Sequence, residues 1–227
     1  MSLSDESLFR EVDEEVRRQK LQDLWNRWGN VFIAVSVAVI LLVAGYKGWQ
    51  YWEQRQAEQA ARDYFAAATF ARQGKPEEAS RKFAELAAGG HEGYAALARM
   101  NLAAELAASG KVDEAVKIYD QIAASAKLDP NLKNAARIRA AFLLVDRASR
   151  DDMAKRVSDL NLPNSVWRNE AREILALSAY KAGDFAEADR LMNEILSDQD
   201  SPPNLRQRAQ LMTSLLAPRL DDKPEAQ

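Results

Sequence analysis

The 227-residue chain carries 31 basic and 34 acidic side chains, a net charge of -3 that excludes a strongly basic surface able to concentrate nucleic acid. It has no cysteine and one histidine, which removes thiol nucleophiles, disulfides, thiolate metal sites and most imidazole chemistry. With 47% hydrophobic residues but only nine glycines and seven prolines, the composition favours a folded, helical protein, and no segment indicates a strand.

Residues 5–28 predict an amphipathic helix. Apolar residues recur at helical spacing along one drifting stripe: Leu8, Val12, Val16, Leu21, Leu24 and Trp28. Acidic residues cluster early in the segment and basic residues late, which suits the helix dipole and places positive charge near lipid headgroups. Two interpretations stay open: a solvated helix that leads into a membrane, or a stripe on which a cytosolic or membrane partner docks.

An uncharged apolar run from Trp28 to Tyr46 predicts a single transmembrane helix, assigned to residues 28–49. As a helix, the run extends roughly 28 Å, close to the hydrocarbon thickness of a bilayer. Aromatic rings frame both ends, as at membrane interfaces: Trp25, Trp28, Tyr46, Trp49, Tyr51 and Trp52. The alternatives are a buried core helix and a cleaved signal peptide, although no small-x-small cleavage site follows the run. Flanking charge slightly favours a cytoplasmic N-terminus.

Three segments after the span share one repeat pattern. They are GKPEEASRKF from Gly74, GKVDEAVKIY from Gly110 and GDFAEADRLM from Gly183. Each has an alanine five residues after the glycine and a large residue four further on: Ala79 and Phe83, Ala115 and Tyr119, Ala188 and Met192. A small residue also precedes each glycine by seven positions: Ala67, Ala103 and Ala176. Such units resemble the tetratricopeptide repeat, in which small residues let two antiparallel helices approach closely.

The distances between these glycines predict a degenerate repeat between the second and third copies. The segment DDMAKRVSDL fits, with Ala154 at the alanine position, Asp151 or Asp152 at the turn, and Phe142 where the other repeats have a small residue. Residues 204–217 predict a capping helix, with Leu205, Ala209, Met212 and Leu216 at helical spacing. We therefore predict an all-α protein: a 1–27 N-terminal segment, the span, a 50–217 solenoid of about four helix pairs with its cap, and a disordered tail at 218–227.

No sequence pattern indicates catalysis, a metal or a cofactor, so binding to other proteins is the expected activity. His91 stands beside Glu92 in a glycine-rich connection, where a solvated loop residue is the simplest interpretation. The first helices of a solenoid line a groove suited to peptides. Equivalent groove positions, or positions one turn away, hold six candidate residues, each of which alternatively packs between repeats: Tyr64, Met100, Arg139, Leu143, Glu173 and Leu177.

Several stretches together resemble the YfgM-like family, the ancillary subunit of the bacterial SecYEG translocon. They are the charged N-terminus, GWQYWEQRQ at 48–56, YAALARMNLA at 94–103 and ALSAYKAGD at 176–184, and the likeness extends over nearly the whole chain. The N-terminus is longer than in better-known members. The resemblance implies a single-pass bacterial inner-membrane protein with a cytoplasmic N-terminus and periplasmic repeats. Within the matched region, Gly48, Trp49, Tyr51 and Trp52 are a candidate membrane-edge contact; plain interfacial anchoring is the alternative.

The same resemblance implies the partners. They are the SecYEG translocon, a membrane-anchored periplasmic chaperone of the prolyl-isomerase type, and exported client proteins passed to periplasmic folding factors. Two other functions stay open: a regulator of a stress-response signalling protein through the cytosolic N-terminal helix, and assembly of a membrane enzyme complex.

Overall fold

The computed structural model describes residues 3–89 and 91–221, with side chains described at Arg18 and from Trp25 onward. Across these residues the regular structure is helical throughout, which confirms the all-α prediction. The helices are α1 (Leu3–Arg72), α2 (Pro76–Ala88), α3 (Glu92–Ala108), α4 (Val112–Ala123), α5 (Pro130–Leu144), α6 (Arg150–Val157), a short 3-10 helix (Ser158–Leu160), α7 (Arg168–Lys181), α8 (Phe185–Ser197) and α9 (Pro203–Asp221).

One continuous helix, α1, covers three segments that the sequence predicted separately. It includes the amphipathic segment, the apolar run and the first helix of the first repeat. No proline interrupts it, and isolated glycines such as Gly45 and Gly48 weaken a helix without ending it. By compactness the chain divides into two units, Met1–Gln56 and Ala57–Gln227. Most side chains of the predicted N-terminal stripe lie outside the described ones.

The apolar part of α1 has the length and composition needed to cross a membrane. Among the described residues, one helical stretch, Trp25–Arg72, meets this requirement. The large apolar side chains between residues 31 and 43 are 48–73% exposed. Such exposure disagrees with the alternative of a buried core helix, because a core helix packs its apolar residues against other elements.

The second unit is a stack of antiparallel helix pairs, and glycine forms three of the four turns between paired helices. Gly74, Gly110 and Gly183 have φ of 72°, 83° and 79°. This left-handed conformation is costly for residues with a Cβ atom, so glycine is the residue that closes each turn. The turns join α1 to α2, α3 to α4 and α7 to α8, as predicted.

Behind each glycine turn, the predicted small and large residues lie in the core. Ala79, Ala115 and Ala188 are fully buried at the helix crossings. The large residues that follow them are buried as well: Phe83, Tyr119 and Met192. Small side chains on the partner helices complete the close approach: Ala67, Ala103 and Ala176, all fully buried. Apolar burial within and between pairs is the main stabilising contribution to such a stack.

The degenerate repeat, α5 and α6, is shifted by one residue from the predicted alignment. Met153 and Val157 are buried at the positions that alanine and the large residue hold elsewhere, whereas Ala154 is only half-buried. The matching turn position is therefore Ala148, and the small residue seven before it is the fully buried Ala141 rather than Phe142. The prediction for Ala154 and Phe142 was wrong because an alanine was matched to an alanine in a segment that lacks the glycine.

The last helix caps the stack as predicted. Leu205, Ala209 and Leu216 of α9 are buried, and Met212 packs beside the core formed with α7 and α8. The helix continues through Pro218 to Asp221, so the predicted disordered tail is corrected for residues 218–221. Residues 222–227 lie outside the described part of the chain.

Candidate protein-binding site

Two of the predicted groove residues lie between repeats instead of at an open surface. Tyr64 is half-buried, with its ring 5.9 Å from that of Phe83, and its hydroxyl accepts a hydrogen bond from Asn101 Nδ2 at 2.9 Å. Met100 is buried in the core of the second repeat, and its carbonyl accepts a hydrogen bond from the Tyr119 hydroxyl at 3.4 Å. These contacts fit the alternative of packing between repeats.

Glu173 is also buried, with only 5% of its surface exposed. Both of its carboxylate oxygens accept hydrogen bonds from Arg208 of α9, at 2.6 and 2.7 Å. This bidentate pair joins the last repeat to its cap and holds the pKa of Arg208 above its ordinary value. The carboxylate therefore has a structural partner within the chain.

The remaining three predicted residues keep some accessible surface. Arg139 is exposed, and Leu143 and Leu177 are half-buried. Arg139 forms no salt bridge with any residue that the structure describes. The assignment of all six residues to a groove stays a prediction, with Arg139 the most accessible of them.

The repeat alignment explains this difference. Tyr64, Met100 and Glu173 each lie ten residues before the turn glycine, and with the corrected turn at Ala148 the matching residue is the buried Ile138. This position faces the neighbouring helices in every repeat. Arg139 lies one position further along and so belongs to a different face.

The adjacent face of the first helices is more accessible in the first three repeats. Nine residues before the turn lie Phe65, Asn101 and Arg139 in these repeats, whereas the matching residue of the last repeat, Ile174, is fully buried. Leu97 lies one helical turn before Asn101. Phe65 is 61% exposed and Leu97 38% exposed, so this face presents two accessible apolar side chains. In stacked repeats equivalent positions share a face. The sequence alignment missed Phe65, Leu97 and Asn101 because it compared the residues ten positions before each turn. Counting nine positions before Gly74 and Gly110 finds Phe65 and Asn101.

We name Phe65, Leu97, Asn101 and Arg139 the first-helix face. It combines two exposed apolar side chains, a side-chain amide and a guanidinium that forms no salt bridge with the described residues. Asn101 Nδ2 also donates to the carbonyl of Leu97 at 2.9 Å, which fixes the amide against α3. A surface of this composition suits apolar side chains of a peptide together with its carbonyl or carboxylate oxygens.

The predicted membrane-edge residues form an aromatic cluster on α1. The rings of Trp49 and Trp52 are 5.4 Å apart. The guanidinium of Arg55 lies over the Tyr51 ring at 5.0 Å and donates to its hydroxyl at 2.5 Å. All three aromatic side chains are more than half exposed. Amphipathic rings with a neighbouring cation are typical of membrane interfaces, so both the anchoring and the contact interpretations remain predictions.

Side chains that bind metal ions do not converge in the described part of the chain. No group of three or more His, Cys, Asp or Glu residues there could hold a metal ion. His91 precedes α3, with its ring 5.9 Å from that of Tyr94. The densest charge cluster joins Arg168 to Asp198 and Asp200 at 2.5–2.8 Å. It fixes the loop between α8 and α9 and is structural.

The repeat geometry defines a helical solenoid of the tetratricopeptide type. The family model described as a tetratricopeptide repeat-like domain matches residues 22–164, more than half of the chain. The chain belongs to this tetratricopeptide repeat-like family.

Two curated relatives, both named ancillary SecYEG translocon subunit, are similar to this chain. The chain is 33% identical over 127 residues to the ancillary SecYEG translocon subunit of Escherichia coli strain K12, covering 54% of this chain and 60% of the relative. It is 44% identical over 50 residues to the ancillary SecYEG translocon subunit of Haemophilus influenzae, covering 22% and 23% respectively. The matched part thus spans less than two thirds of either relative. These relatives confirm the likeness to the YfgM-like family.

A solved structure supports the fold. The chain titled MamA RS-1 ArsTM double mutant matches with a TM-score of 0.50 and 17% identity, covering 74% of this chain and 88% of that one. At this identity the match bears on the fold alone.

Proposed function

We propose that this protein is a membrane-anchored binding scaffold at the SecYEG translocon that helps pass exported proteins to periplasmic chaperones. The observation that carries the proposal is the 33% identity to a translocon subunit from Escherichia coli. The match extends over 127 residues, which is longer than one helix pair and is more than repeat periodicity alone explains.

The apolar part of α1 supports anchoring in a bacterial inner membrane. We propose that it is a single span, with residues 1–27 in the cytoplasm and the repeats in the periplasm. In this arrangement the first-helix face is available to exported clients and to a membrane-anchored chaperone of the prolyl-isomerase type. Exposed Phe65 and Leu97 supply the apolar anchors that such clients require.

Co-purification from detergent-solubilised membranes tests the proposal. The tagged full-length protein should retain translocon subunits and a periplasmic chaperone, whereas recovery of neither would contradict it. A variant with Phe65→Ala and Leu97→Ala should lose clients while it retains the translocon. The matched control changes two other exposed apolar residues, Leu162→Ala and Val166→Ala, and should retain both.

Orientation is tested by protease treatment of a C-terminal tag in intact spheroplasts, with a cytosolic protein as the control for sealed membranes. Cleavage of the tag is the expected result. Protection until the membrane is broken would place the repeats in the cytoplasm and contradict the proposal. Deletion of residues 1–24 examines the regulator alternative. A change in stress-gene expression with unchanged translocon association would favour that function.

A further inference from the structure

A cleft of about 840 Å³ opens where the degenerate repeat follows the second repeat. Its walls come from the end of α4, both ends of α5, the turn that follows α5, and α6. The helix α6 has eight residues, whereas the corresponding helices α4 and α8 have twelve and thirteen. The volume lies within the usual range of ligand pockets.

Two ion pairs hold the walls of the cleft together. Arg156 Nη1 lies 2.5 Å from an Asp120 carboxylate oxygen and so joins α6 to α4. Arg137 pairs with Asp159 at 2.5 Å, and it also donates to the carbonyl of Arg156 at 2.7 Å. These arginines are therefore engaged within the protein. They set the width of the cleft before any ligand binds.

The lining charges that form no ion pair with a described residue are two positive and one negative. Lys133 and Lys155 line the cleft, and neither forms a salt bridge with any described residue. The carboxylate of Asp152 accepts the Ser149 hydroxyl at 2.7 Å and is the one negative charge among the three. Asn134 adds an amide beside the cations. The open part of the cleft thus presents two ammonium groups and a side-chain amide against one carboxylate.

The lining also has an apolar part. Met153 is almost fully buried beneath it, and Leu144, Ala123 and Ala148 are half-buried on its walls. An α-helix is about 10–12 Å across with its side chains and would fill this volume with fewer than two turns. An extended chain inserts alternate side chains and offers its carbonyls to amide donors.

We propose that this cleft is a second binding site, separate from the first-helix face, and that it binds an extended acidic segment of a partner protein. Apolar side chains of the segment occupy the space above Met153, and its carboxylates pair with Lys133 and Lys155. The assignment depends on the cleft alone and does not require the translocon function proposed above.

Fluorescence anisotropy with the full-length protein in lipid nanodiscs tests this site. The probe is a fluorescein-labelled peptide of about ten residues in which leucine alternates with aspartate, and the comparison peptide has lysine in place of aspartate. The aspartate peptide should bind and the lysine peptide should not. The variant with Lys133→Glu and Lys155→Glu should lower affinity for the aspartate peptide at least about tenfold, because both contacts become repulsive.

The matched control makes the same change of net charge elsewhere, with Lys111→Glu at the exposed N-cap of α4 and Lys117→Glu at an exposed position within α4. It should change affinity less than about twofold. A milder pair, Lys133→Gln and Lys155→Gln, provides the same test if the charge-reversed protein does not fold, which circular dichroism reports. Met153 is left unchanged because it supports the core.

Three results would overturn the proposal: equal loss of affinity in the cleft and control variants, no loss in either, or displacement of the peptide by millimolar inorganic phosphate alone. The last result would identify the lysines as a simple anion site. Translocon co-purification is measured on the same variants. Its retention in the cleft variant, together with lost peptide binding, would distinguish this site from the proposed scaffold function.

Discussion

Gly110 has a φ of 83°, and a Cβ atom added to it would meet no other atom within 4 Å. Substitution therefore costs conformational energy without a steric clash. We expect Gly110→Ala to lower the free energy of unfolding by about 1–2 kcal/mol. Gly110→Asn should cost less, because asparagine tolerates the left-handed region. Chemical denaturation followed by circular dichroism measures both, and equal costs for the two variants would contradict this explanation.

Met153 tests the corrected alignment of the degenerate repeat. It is 1% exposed and contributes to the core shared by α5, α6 and α7. Met153→Ala should lower the free energy of unfolding by about 2–4 kcal/mol through lost burial and a cavity. Lys155→Ala on the same helix is exposed and should change it by less than about 0.5 kcal/mol. A small effect of Met153→Ala would contradict the corrected alignment and favour the original one, in which Ala154 holds the buried position.

Glycine turns were predictable because a positive φ selects glycine, and buried alanines because close helix packing selects small side chains. The ion pairs Glu173–Arg208 and Arg168–Asp198 were not predictable from the sequence. Their members lie 35 and 30 residues apart, and the sequence offers many other acidic and basic residues as partners. The third repeat has no glycine to mark its turn, and a one-residue alignment error there grouped Arg139 with Tyr64, Met100 and Glu173. The structure instead aligns Arg139 with Phe65 and Asn101.

At the scale of elements, α9 is held to α7 by packing and by one partly buried ion pair. Arg208→Ala leaves the Glu173 carboxylate buried without its partner. We expect a loss of about 1–3 kcal/mol in the free energy of unfolding, reduced from the fully buried case because half of Arg208 is exposed. Adding Glu173→Gln in the same background should recover part of the loss, since a neutral amide is less costly to bury. Urea denaturation of the single and double variants gives the comparison.

The loop between α8 and α9 carries a pH-dependent contribution. The Arg168 guanidinium holds the pKa of Asp198 well below its usual value of 3.8, chiefly through a direct hydrogen bond. A lowered folded-state pKa stabilises the fold above the unfolded-state pKa, and the stabilisation is lost as the pH falls through the folded-state value. Asp198→Asn should therefore cost about 1–2 kcal/mol at pH 7, after allowance for solvent screening.

The difference between wild type and Asp198→Asn should shrink as the pH is lowered from 5 to 2, which thermal unfolding across this range measures. Asp113 provides the control, since it pairs with Arg147 at 3.2 Å while 91% exposed. Asp113→Asn should change stability by less than about 0.5 kcal/mol at any pH. A difference for Asp198 that stays constant with pH would contradict the assigned cause.

Element boundaries were less predictable than element identity. The composition of residues 1–56 changes from charged to apolar and back, which suggested separate segments, yet backbone hydrogen bonding continues through α1 because nothing in this region stops a helix. Likewise the sequence predicted a capping helix at 204–217 and a disordered tail from residue 218, whereas α9 continues through Pro218 to Asp221. Proline lacks the backbone N–H that would donate to the carbonyl four residues earlier, and its ring clashes with that carbonyl. In the last turn of α9 the helix accommodates both effects.

At the scale of the whole molecule, membrane association is predicted to depend on the apolar part of α1. Val37→Lys together with Ile40→Lys places two charges near the middle of the run, at a cost of roughly 5–7 kcal/mol on insertion scales. We expect this variant to move from the membrane to the soluble fraction after carbonate extraction. Phe65→Lys, another exposed apolar position, should leave the distribution unchanged. Retention of the double variant in the membrane would contradict the assignment.

The order of the stack along the chain has a consequence for biosynthesis. Leu191, Met192 and Ile195 of α8 are buried in part by Leu205 and Ala209 of α9, which follow them in the chain. During synthesis this surface stays exposed until α9 has emerged and docked, in a chain that gains residues at about 5–20 per second. The nascent protein therefore exposes an aggregation-prone apolar surface for about one to several seconds. A chaperone bound to this surface during that time would protect the protein from aggregation.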